Sequence, residues 1–260
     1  MASPKSKLRL RIFAGPNGSG KSVVIDLVRN TVVNGYPVDV GLYINADNIA
    51  SALSTDFFDF SDYSISVSLG NLTAFAATSG LLKSTFDAQF LKKNLSIRKG
   101  MVRLKVKDKI DQVAQLIARY LRELLLESQK RFSFETVFSH PSNIEFMARA
   151  KEAGYKIYLY YVATESEEIN VFRVENRVLS GGHAVPNDKI RSRYMRSLEL
   201  LSETLPFVHQ AFFFDNSKEG EDALKLVNHC ERQGDDLVWD IRNSRKFPIW
   251  FKKYCWDKIS

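Results

Sequence analysis

Residues 15–22 form the sequence feature that most restricts this chain, the run GPNGSGKS, which fits the pattern G-x-x-x-x-G-K-[ST]. A strand-like segment, LRLRIFA, precedes it at 8–14, and VVIDLVRNTV follows it at 23–32 with helical periodicity. The pattern therefore predicts a strand, a tight phosphate-binding loop and a helix. The residues of the motif are Gly15, Pro16, Asn17, Gly18, Ser19, Gly20, Lys21 and Ser22.

The chemistry of this motif points to a nucleoside triphosphate. Glycines let the backbone turn its N–H groups around phosphate oxygens, and the N-terminus of the following helix adds the positive end of its dipole. Lys21 is expected to reach the β and γ phosphates, and the Ser22 hydroxyl is expected to ligate Mg²⁺. The alternative is a glycine-rich turn without a ligand, which the flanking strand and helix make the weaker interpretation.

Strand and helix patterns alternate along the rest of the chain. Strands are predicted at 38–45, 131–138, 155–163 and 207–214, and helices are predicted to begin near residues 142, 165 and 187. Alternation of this kind predicts a parallel sheet with helices on both faces. The fold class is therefore α/β, a P-loop NTPase fold with a kinase-like parallel sheet flanked by helices.

Residues 46–130 interrupt this alternation with a mainly helical pattern, so we predict one domain over 1–260 that contains a helical, basic insertion at 81–130. Within the insertion, residues 92–109 hold eight basic residues and one acid, Asp108. A solvated basic face and a polyanion site both fit this composition, although no nucleic-acid motif accompanies it. The basic residues are Lys92, Lys93, Arg98, Lys99, Arg103, Lys105, Lys107 and Lys109.

Composition excludes several classes of protein. The 260 residues carry 37 Lys and Arg against 30 Asp and Glu, a formal net charge of +7, which suits anionic ligands. Two cysteines, Cys230 and Cys255, provide neither a disulfide framework nor a zinc cluster. No segment approaches the roughly 18 apolar residues of a membrane span. The start of the chain lacks an apolar signal core, so a cytoplasmic location is expected.

Two acidic residues follow predicted strands, where ligands of open α/β sheets bind. Asp47 follows the second strand, in INADNIA, and either caps the next helix or takes part in catalysis. Glu135 ends the third strand, in SFET, and is a candidate for organising Mg²⁺ or its water. The alternative for Glu135 is a strand-end carboxylate paired with a surface lysine.

An arginine-rich segment spans residues 173–201 around a Gly-Gly-His turn. Phosphoryl transfer spreads negative charge over three oxygens, and arginine supplies forked donors for that charge. The alternative is a solvated basic face. A helix that begins near Asn187 would bury Ile190, Tyr194, Leu198 and Leu201. The candidate cations are Arg173, Arg177, Arg191, Arg193 and Arg196, and the role of His183 is open.

The motifs GPNGSGKS, INADNIA, SFETVFSHP, GYKIYLYYVAT, NRVLSGGHAVP with IRSRYMRSLELL, and FFFDNS together resemble the zeta-toxin family of P-loop kinases, in particular its branch of predicted ABC-type ATPases. The match covers about residues 8–80 and 130–217. The resemblance implies a kinase-like fold and ATP- or GTP-dependent phosphorylation of a small-molecule hydroxyl. The best-known members phosphorylate UDP-N-acetylglucosamine, and a related branch phosphorylates NAD.

The resemblance also implies roles for individual residues. Asp47 matches the base that deprotonates the acceptor hydroxyl, and Glu135 matches the substrate-binding glutamate. The first γ-phosphate arginine is Arg177 or Arg173, and the second cation is His183 or lies within 191–196, where Arg193 is also a substrate-binding candidate. Asn216, with Asp215 and Ser217, is expected beside the nucleotide base.

Departures from the family pattern concern the acceptor. Val137 and Ser139 stand where sugar-phosphorylating members carry a Thr and an Arg, which removes hydrogen bonds to a sugar diphosphate. The resemblance implies a small-molecule kinase that acts as the toxin of a pair with an antitoxin protein. A polynucleotide or RNA 5′-hydroxyl kinase and an ATP-switched NTPase binding module are the alternatives. The acceptor, the choice of ATP or GTP, and the oligomeric state stay open.

Overall fold

The computed structural model describes residues 8–181, 184–220, 223–241 and 244–259. The chain divides into two compact units. The first unit contains Met1–Gly41 and Arg131–Ser260, and the second contains Leu42–Lys130. The division into one domain with an insertion at 81–130 stays a prediction. The second unit ends at Lys130, like the predicted insertion, but begins earlier than residue 81, at Leu42.

Helices and strands alternate along most of the described chain. The strands are β1 (Arg9–Ala14), β2 (Val32–Val33), β3 (Tyr36–Pro37), β4 (Leu42–Ile44), β5 (Phe57–Asp59), β6 (Leu95–Arg98), β7 (Met101–Leu104), β8 (Phe132–Thr136), β9 (Lys156–Ala163), β10 (Gln210–Asp215), β11 (Lys225–Gln233) and β12 (Asp236–Trp239). The helices are α1 (Lys21–Asn30), α2 (Ala46–Thr55), α3 (Leu69–Thr78), α4 (Ala88–Asn94), α5 (Ile110–Glu127), α6 (Ser142–Glu152), α7 (Glu167–Leu179), α8 (Asn187–Glu199) and α9 (Ile249–Tyr254).

The sheet of the first unit has the order β12-β11-β10-β9-β1-β8. Strand β1 pairs in parallel with β8 and β9, and β9 pairs in parallel with β10. Strand β11 pairs antiparallel with both of its neighbours, β10 and β12. Because β1, β8, β9 and β10 run in the same direction, their carboxyl ends share one edge of the sheet, where ligands of such folds bind. The predicted α/β fold with a mostly parallel sheet is confirmed.

The core of the first unit explains the apolar runs of its strands. Leu10, Ile12, Leu159 and Phe213 are fully buried, because parallel strands are covered on both faces. Helix α1 packs against β1 and β9, and α6 packs against β9. Helix α8 begins at Asn187 as predicted, and the four side chains expected to be buried are buried, namely Ile190, Tyr194, Leu198 and Leu201.

Two strand predictions need correction. Residues 38–45 were expected to form one strand, but only Leu42–Ile44 does so. Asp39 accepts the Gly41 N–H through its side chain at 2.8 Å, and this Asx turn ends in the left-handed conformation of Gly41, with φ 65°. The predicted strand 207–214 begins at Gln210, and β11 and β12 were missed although Gly234 marks the turn between them.

The second unit contains α2 to α5 and a three-stranded antiparallel sheet, β5-β7-β6. The helical expectation for 81–130 is correct for α4 and the amphipathic α5, but β6 and β7 form a hairpin inside the basic segment. Lys99 and Gly100 form its turn, with φ 51° and 84°, as a type I′ turn requires. Alternating apolar residues on both sides of Lys-Gly were the sequence signal for this hairpin. Among the described residues, no helix has the length and apolarity of a membrane span.

Candidate nucleotide-binding site

The glycine-rich loop joins β1 to α1 at the carboxyl edge of the sheet, as predicted. Its three glycines all have positive φ angles, 147° at Gly15, 76° at Gly18 and 96° at Gly20. A Cβ atom at Gly18 would lie 2.6 Å from the carbonyl oxygen of Asn170, and one at Gly20 would lie 2.1 Å from Nδ2 of Asn216. Both positions therefore require glycine for backbone conformation and for space.

Lys21 lies across the loop and is 8% exposed. Its Nζ atom donates hydrogen bonds to the carbonyl oxygens of Gly15 and Pro16, each at 3.0 Å. The same Nζ lies 3.8 Å from Oε1 of Glu135, on the neighbouring strand β8. The partner of Glu135 is thus the lysine of the glycine-rich motif, whereas the alternative expectation was a surface lysine.

Two buried asparagines hold the loop from outside. Asn170 of α7 is completely buried and donates from Nδ2 to the carbonyl oxygen of Asn17 at 2.7 Å. Asn216, directly after β10, donates from Nδ2 to the carbonyl oxygen of Ser19 at 2.8 Å. The prediction placed Asn216 beside the nucleotide base, and the observed contact is with the glycine-rich loop.

Sequence reasoning missed Asn170. The sequence pattern that could have revealed Asn170 is a polar residue on an otherwise apolar face of α7, where Val171 and Val174 are its buried neighbours. The hydroxyl of Thr164, which follows β9, contacts Oδ1 of Asn170 within hydrogen-bond distance. The Tyr194 hydroxyl donates to the Thr164 carbonyl at 2.7 Å. Both polar atoms of the buried Asn170 side chain therefore have hydrogen-bond partners, as buried polar groups require.

The arginine candidates occupy different environments. Arg193 of α8 is half-buried, and its Nη1 lies 3.5 Å from Oδ1 of Asn17 in the loop. Burial, with a smaller contribution from Arg196, lowers the pKa of Arg193, although a guanidinium stays charged in proteins. Arg173 donates to the carbonyl oxygens of Asn216 and Lys218 at 2.6 and 2.9 Å. Arg193 is therefore a cation that points to the loop, and Arg173 ties α7 to the segment after β10.

The remaining candidates lie farther toward solvent. Arg191 is exposed and forms an ion pair with Glu168 at 2.6 Å, between α8 and α7. Arg177 is exposed in the last turn of α7, and Arg196 donates to the carbonyl of Ser192 in its own helix. His183 lies outside the described residues. Of the second-cation candidates within the described part of α8, Arg193 is the one in contact with the loop.

The Asp215–Ser217 segment is anchored from several sides. Asp215 accepts hydrogen bonds from the Ser217 N–H at 3.0 Å and from Nε1 of Trp250 at 2.8 Å. The Glu165 N–H donates to the Ser217 hydroxyl at 2.8 Å. Burial and the nearby Asp215 carboxylate raise the pKa of Glu165. These contacts hold the turn that carries Asn216.

Asp47 belongs to the second unit, in the first turn of α2. The helix cap is Asn45, whose Oδ1 accepts the N–H groups of Asp47 at 2.7 Å and Asn48 at 3.2 Å. The capping role that was the alternative for Asp47 is therefore performed by Asn45, two residues earlier. The Asp47 residue is exposed to solvent.

Comparison with known proteins places the chain in a family. The zeta toxin family model matches residues 94–242, which is more than half of the chain. The chain belongs to the zeta toxin family. A Haemophilus influenzae relative described as an uncharacterized protein is 40% identical to this zeta toxin family member over 63 residues, covering 24% of this chain and 45% of the relative.

Two solved structures have the same fold as this zeta toxin family member. The AvrRxo1-ORF1:AvrRxo1-ORF2 structure with sulphate ions has a TM-score of 0.53 at 13% identity and covers 94% of this chain. The complex of the same proteins with ATP has a TM-score of 0.51 at 14% identity and covers 96%. The alignments span 65% and 64% of those chains, which are longer. These similarities agree with the α/β fold of the first unit.

The loop of this zeta toxin family member has the features of a phosphate site. Ser19 is completely buried, and its hydroxyl has no hydrogen-bond partner among the described residues. An unused buried hydroxyl and two glycines that exclude a Cβ atom fit a bound anion. The described residues contain no group of three or more His, Cys, Asp or Glu that could hold a metal. A Mg²⁺ ion would therefore depend on the exposed Ser22 hydroxyl, on Glu135 and on phosphate oxygens.

Proposed function

We propose that this zeta toxin family member is a P-loop kinase that transfers the γ-phosphate of ATP or GTP to a hydroxyl of a small molecule. The observation that carries the proposal is the position of the Lys21 ammonium group, which bridges two carbonyls of the glycine-rich loop and the Glu135 carboxylate. A lysine in a glycine cradle next to a strand-end carboxylate is the arrangement that triphosphate chemistry requires.

In this proposal, residues 15–22 of the glycine-rich loop bind and orient the triphosphate. Backbone N–H groups of the loop that donate to no other described residue, among them those of Gly18 and Gly20, would surround its oxygens. Lys21 would neutralise charge on the β and γ phosphates. When bound, the nucleotide supplies the transferable phosphoryl group, and Mg²⁺ held through Ser22 neutralises its oxygens. Arg193 is our first candidate for the cation at the γ-phosphate, with Arg177 as the second, and the contacts of Arg173 suit it to hold the loop in place.

In this proposal the γ-phosphorus forms a bond to the acceptor oxygen while its bond to the β–γ bridging oxygen breaks, and the nucleoside diphosphate leaves. The O–H bond of the acceptor breaks in the same step, and its proton goes to Asp47. The exposed carboxylate of Asp47 does not serve as the helix cap, which supports this assignment. Glu135 is assigned to the acceptor or to a metal-bound water, and His183 to the acceptor side. Asn216 is assigned to nucleotide binding through the loop it contacts.

The acceptor is the least constrained part of the proposal. A nucleotide sugar such as UDP-N-acetylglucosamine is the first candidate, because known family members use it. Val137 and Ser139 replace residues that form hydrogen bonds to a sugar diphosphate in other family members. A different small molecule with a hydroxyl group is therefore the second candidate for the acceptor. An antitoxin protein as partner and a cytoplasmic location are further parts of the proposal.

A second candidate is a polynucleotide 5′-hydroxyl kinase. It is favoured by five exposed cations on or beside the β6–β7 hairpin that form no ion pair with another described residue. Cations of this kind bind nucleic-acid phosphates, with an affinity that falls steeply as salt rises. They are Lys92, Lys93, Arg98, Lys99 and Lys105.

The test is mass spectrometry of a metabolite extract incubated with the purified protein, Mg²⁺ and isotopically labelled ATP or GTP. The Asp47→Asn variant is assayed beside it, with Asp188→Asn as the matched control, since Asp188 is also an exposed residue in the first turn of a helix. A labelled phosphometabolite that is lost only in Asp47→Asn supports the proposal. Label only on added RNA would replace it with the second candidate, and label only as inorganic phosphate would replace it with an NTPase module.

A further inference from the structure

Two carbonyl groups of the glycine-rich loop, those of Asn17 and Ser19, are held by the two buried asparagines, and this fixes which way the neighbouring N–H groups point. A carbonyl oxygen only accepts hydrogen bonds, so the amide nitrogen of Asn170 must face Asn17, and that of Asn216 must face Ser19. The described chain contains no cis peptide bond. In a trans peptide the C=O of one residue and the N–H of the next point in opposite directions.

The consequence concerns the N–H groups of Gly18 and Gly20. Because the Asn17 carbonyl points to Asn170, the Gly18 N–H points away from α7. Because the Ser19 carbonyl points to Asn216, the Gly20 N–H points away from the segment after β10. Neither N–H donates a hydrogen bond to another described residue. Two unused donors are thus held in a fixed direction on the side of the loop opposite the asparagines.

Arg173 joins the two asparagine contacts into a closed ring. It lies three residues after Asn170 on α7, which places both side chains on neighbouring positions of one helix face. Its guanidinium donates to the carbonyl of Asn216 at 2.6 Å. The ring runs from Asn17 through Asn170 and α7 to Arg173, then through Asn216 back to Ser19.

We infer that Asn170 is a positioning residue that, together with Asn216, aims the Gly18 and Gly20 N–H groups at the phosphates of the nucleotide. This inference rests on the proposed function for the existence of a bound triphosphate. Preorganised donors bind an anion more tightly because the loop does not have to reorient when the ligand arrives. Asn170 does not touch the ligand in this arrangement, and its effect passes through the Asn17 peptide.

The test measures the affinity of the full chain for ATP and for inorganic tripolyphosphate by isothermal titration calorimetry. The variant Asn170→Asp keeps the shape of the side chain but replaces the donor with an acceptor. The matched control is Asn176→Asp, which places the same charge on an exposed position of α7. We expect Asn170→Asp to weaken both ligands by about tenfold and the control to change neither by more than about twofold.

A merely structural role would give a different result. Asn170→Asp that lowers the melting temperature but leaves both affinities within twofold of wild type would overturn the inference. So would a loss of ATP binding without a loss of tripolyphosphate binding, since that locates the effect at the base. If Asn170→Asp does not fold, Asn170→Ser is measured with the same two ligands and the same criteria. A wild-type protein that binds neither ligand would refute the proposed function itself, whereas wild-type binding with unchanged variants refutes only the inference.

Discussion

Lys21 and Glu135 form an ion pair with 3.8 Å between Nζ and Oε1, at the edge of the sheet where β1 and β8 end side by side. Both side chains are mostly shielded, with 9% and 21% of their surface exposed, so water screens the pair less than it screens surface pairs. The carboxylate therefore places negative charge beside the proposed phosphate site. We expect this carboxylate to oppose nucleotide binding, whereas the proposed transfer step depends on it.

The first prediction concerns Glu135→Gln. Removal of one negative charge near the triphosphate should tighten ATP binding by about fivefold, while kcat falls because the acceptor or metal-bound water loses its partner. Calorimetry and steady-state transfer assays measure the two effects separately. Glu152→Gln, at an exposed position of α6, is the control for the same charge change. An unchanged kcat in Glu135→Gln would remove Glu135 from the mechanism.

Asp47→Asn tests the proposed base. An amide cannot accept the hydroxyl proton, so kcat should fall by about 10²- to 10⁴-fold, while the Kd for ATP stays within about twofold of wild type. Single-turnover phosphoryl transfer and calorimetry are the measurements. Retention of wild-type kcat would show that another group takes the proton.

The Arg193→Ala variant tests whether the arginine that contacts the loop contributes more to kcat than the other arginines of α8. We expect kcat to fall by about 10³-fold, because arginine stabilises the charge of the transferring phosphoryl group. Arg191→Ala is the matched control, since Arg191 is exposed and pairs with Glu168 at 2.6 Å. Equal losses in both variants would mean that α8 contributes general positive charge and no specific contact.

Gly20→Ala tests the close approach of Asn216. A Cβ atom would lie 2.1 Å from Nδ2 of Asn216, in addition to the left-handed backbone at φ 96°. Gly35→Ala is the control, because Gly35 has φ 81° but no atom within 4 Å of its Cβ position. The control should lose about 1–2 kcal/mol of unfolding free energy, and Gly20→Ala should lose more together with ATP affinity. Urea titration and calorimetry distinguish the steric effect from the backbone effect.

The cysteines yield a prediction about pH. Burial raises the pKa of Cys230 to about 12 and raises the pKa of Cys255 well above its ordinary value. Folding therefore keeps both thiols protonated, and the unfolded chain binds fewer protons above its own thiol pKa of roughly 8.5. Stability should fall as pH rises through about 9 to 12, by up to about 1.4 kcal/mol per pH unit for each thiol.

Thiol labelling at pH 8 checks the same property directly. The native protein should react slowly with a thiol reagent, and both cysteines should react after unfolding in urea, because burial blocks access and suppresses the thiolate. Urea titrations at pH 7.5 and 9.5 should show the lower stability at the higher pH. Fast labelling of the native protein would contradict the buried, protonated state.

Local sequence patterns were sufficient to predict several helices and strands of the first unit. The glycine-rich motif, the apolar run 155–163 and the periodicity of α8 each depend on neighbours within a few residues, and each prediction is confirmed. The hairpins β6–β7 and β11–β12 were missed, although their turn glycines, Gly100 and Gly234, are visible in the sequence.

The sequence by itself determined the glycine-rich loop between a strand and a helix, the α/β alternation and the residue types on which the proposed phosphoryl transfer depends, because these are properties of short segments. The tertiary structure alone decided that Lys21 pairs with Glu135 and that Asn170 and Asn216 hold the loop carbonyls. Asn170 is 153 residues from Asn17, and Asn216 is 197 residues from Ser19. Contacts over such separations depend on strand order and helix packing, which local periodicity does not encode.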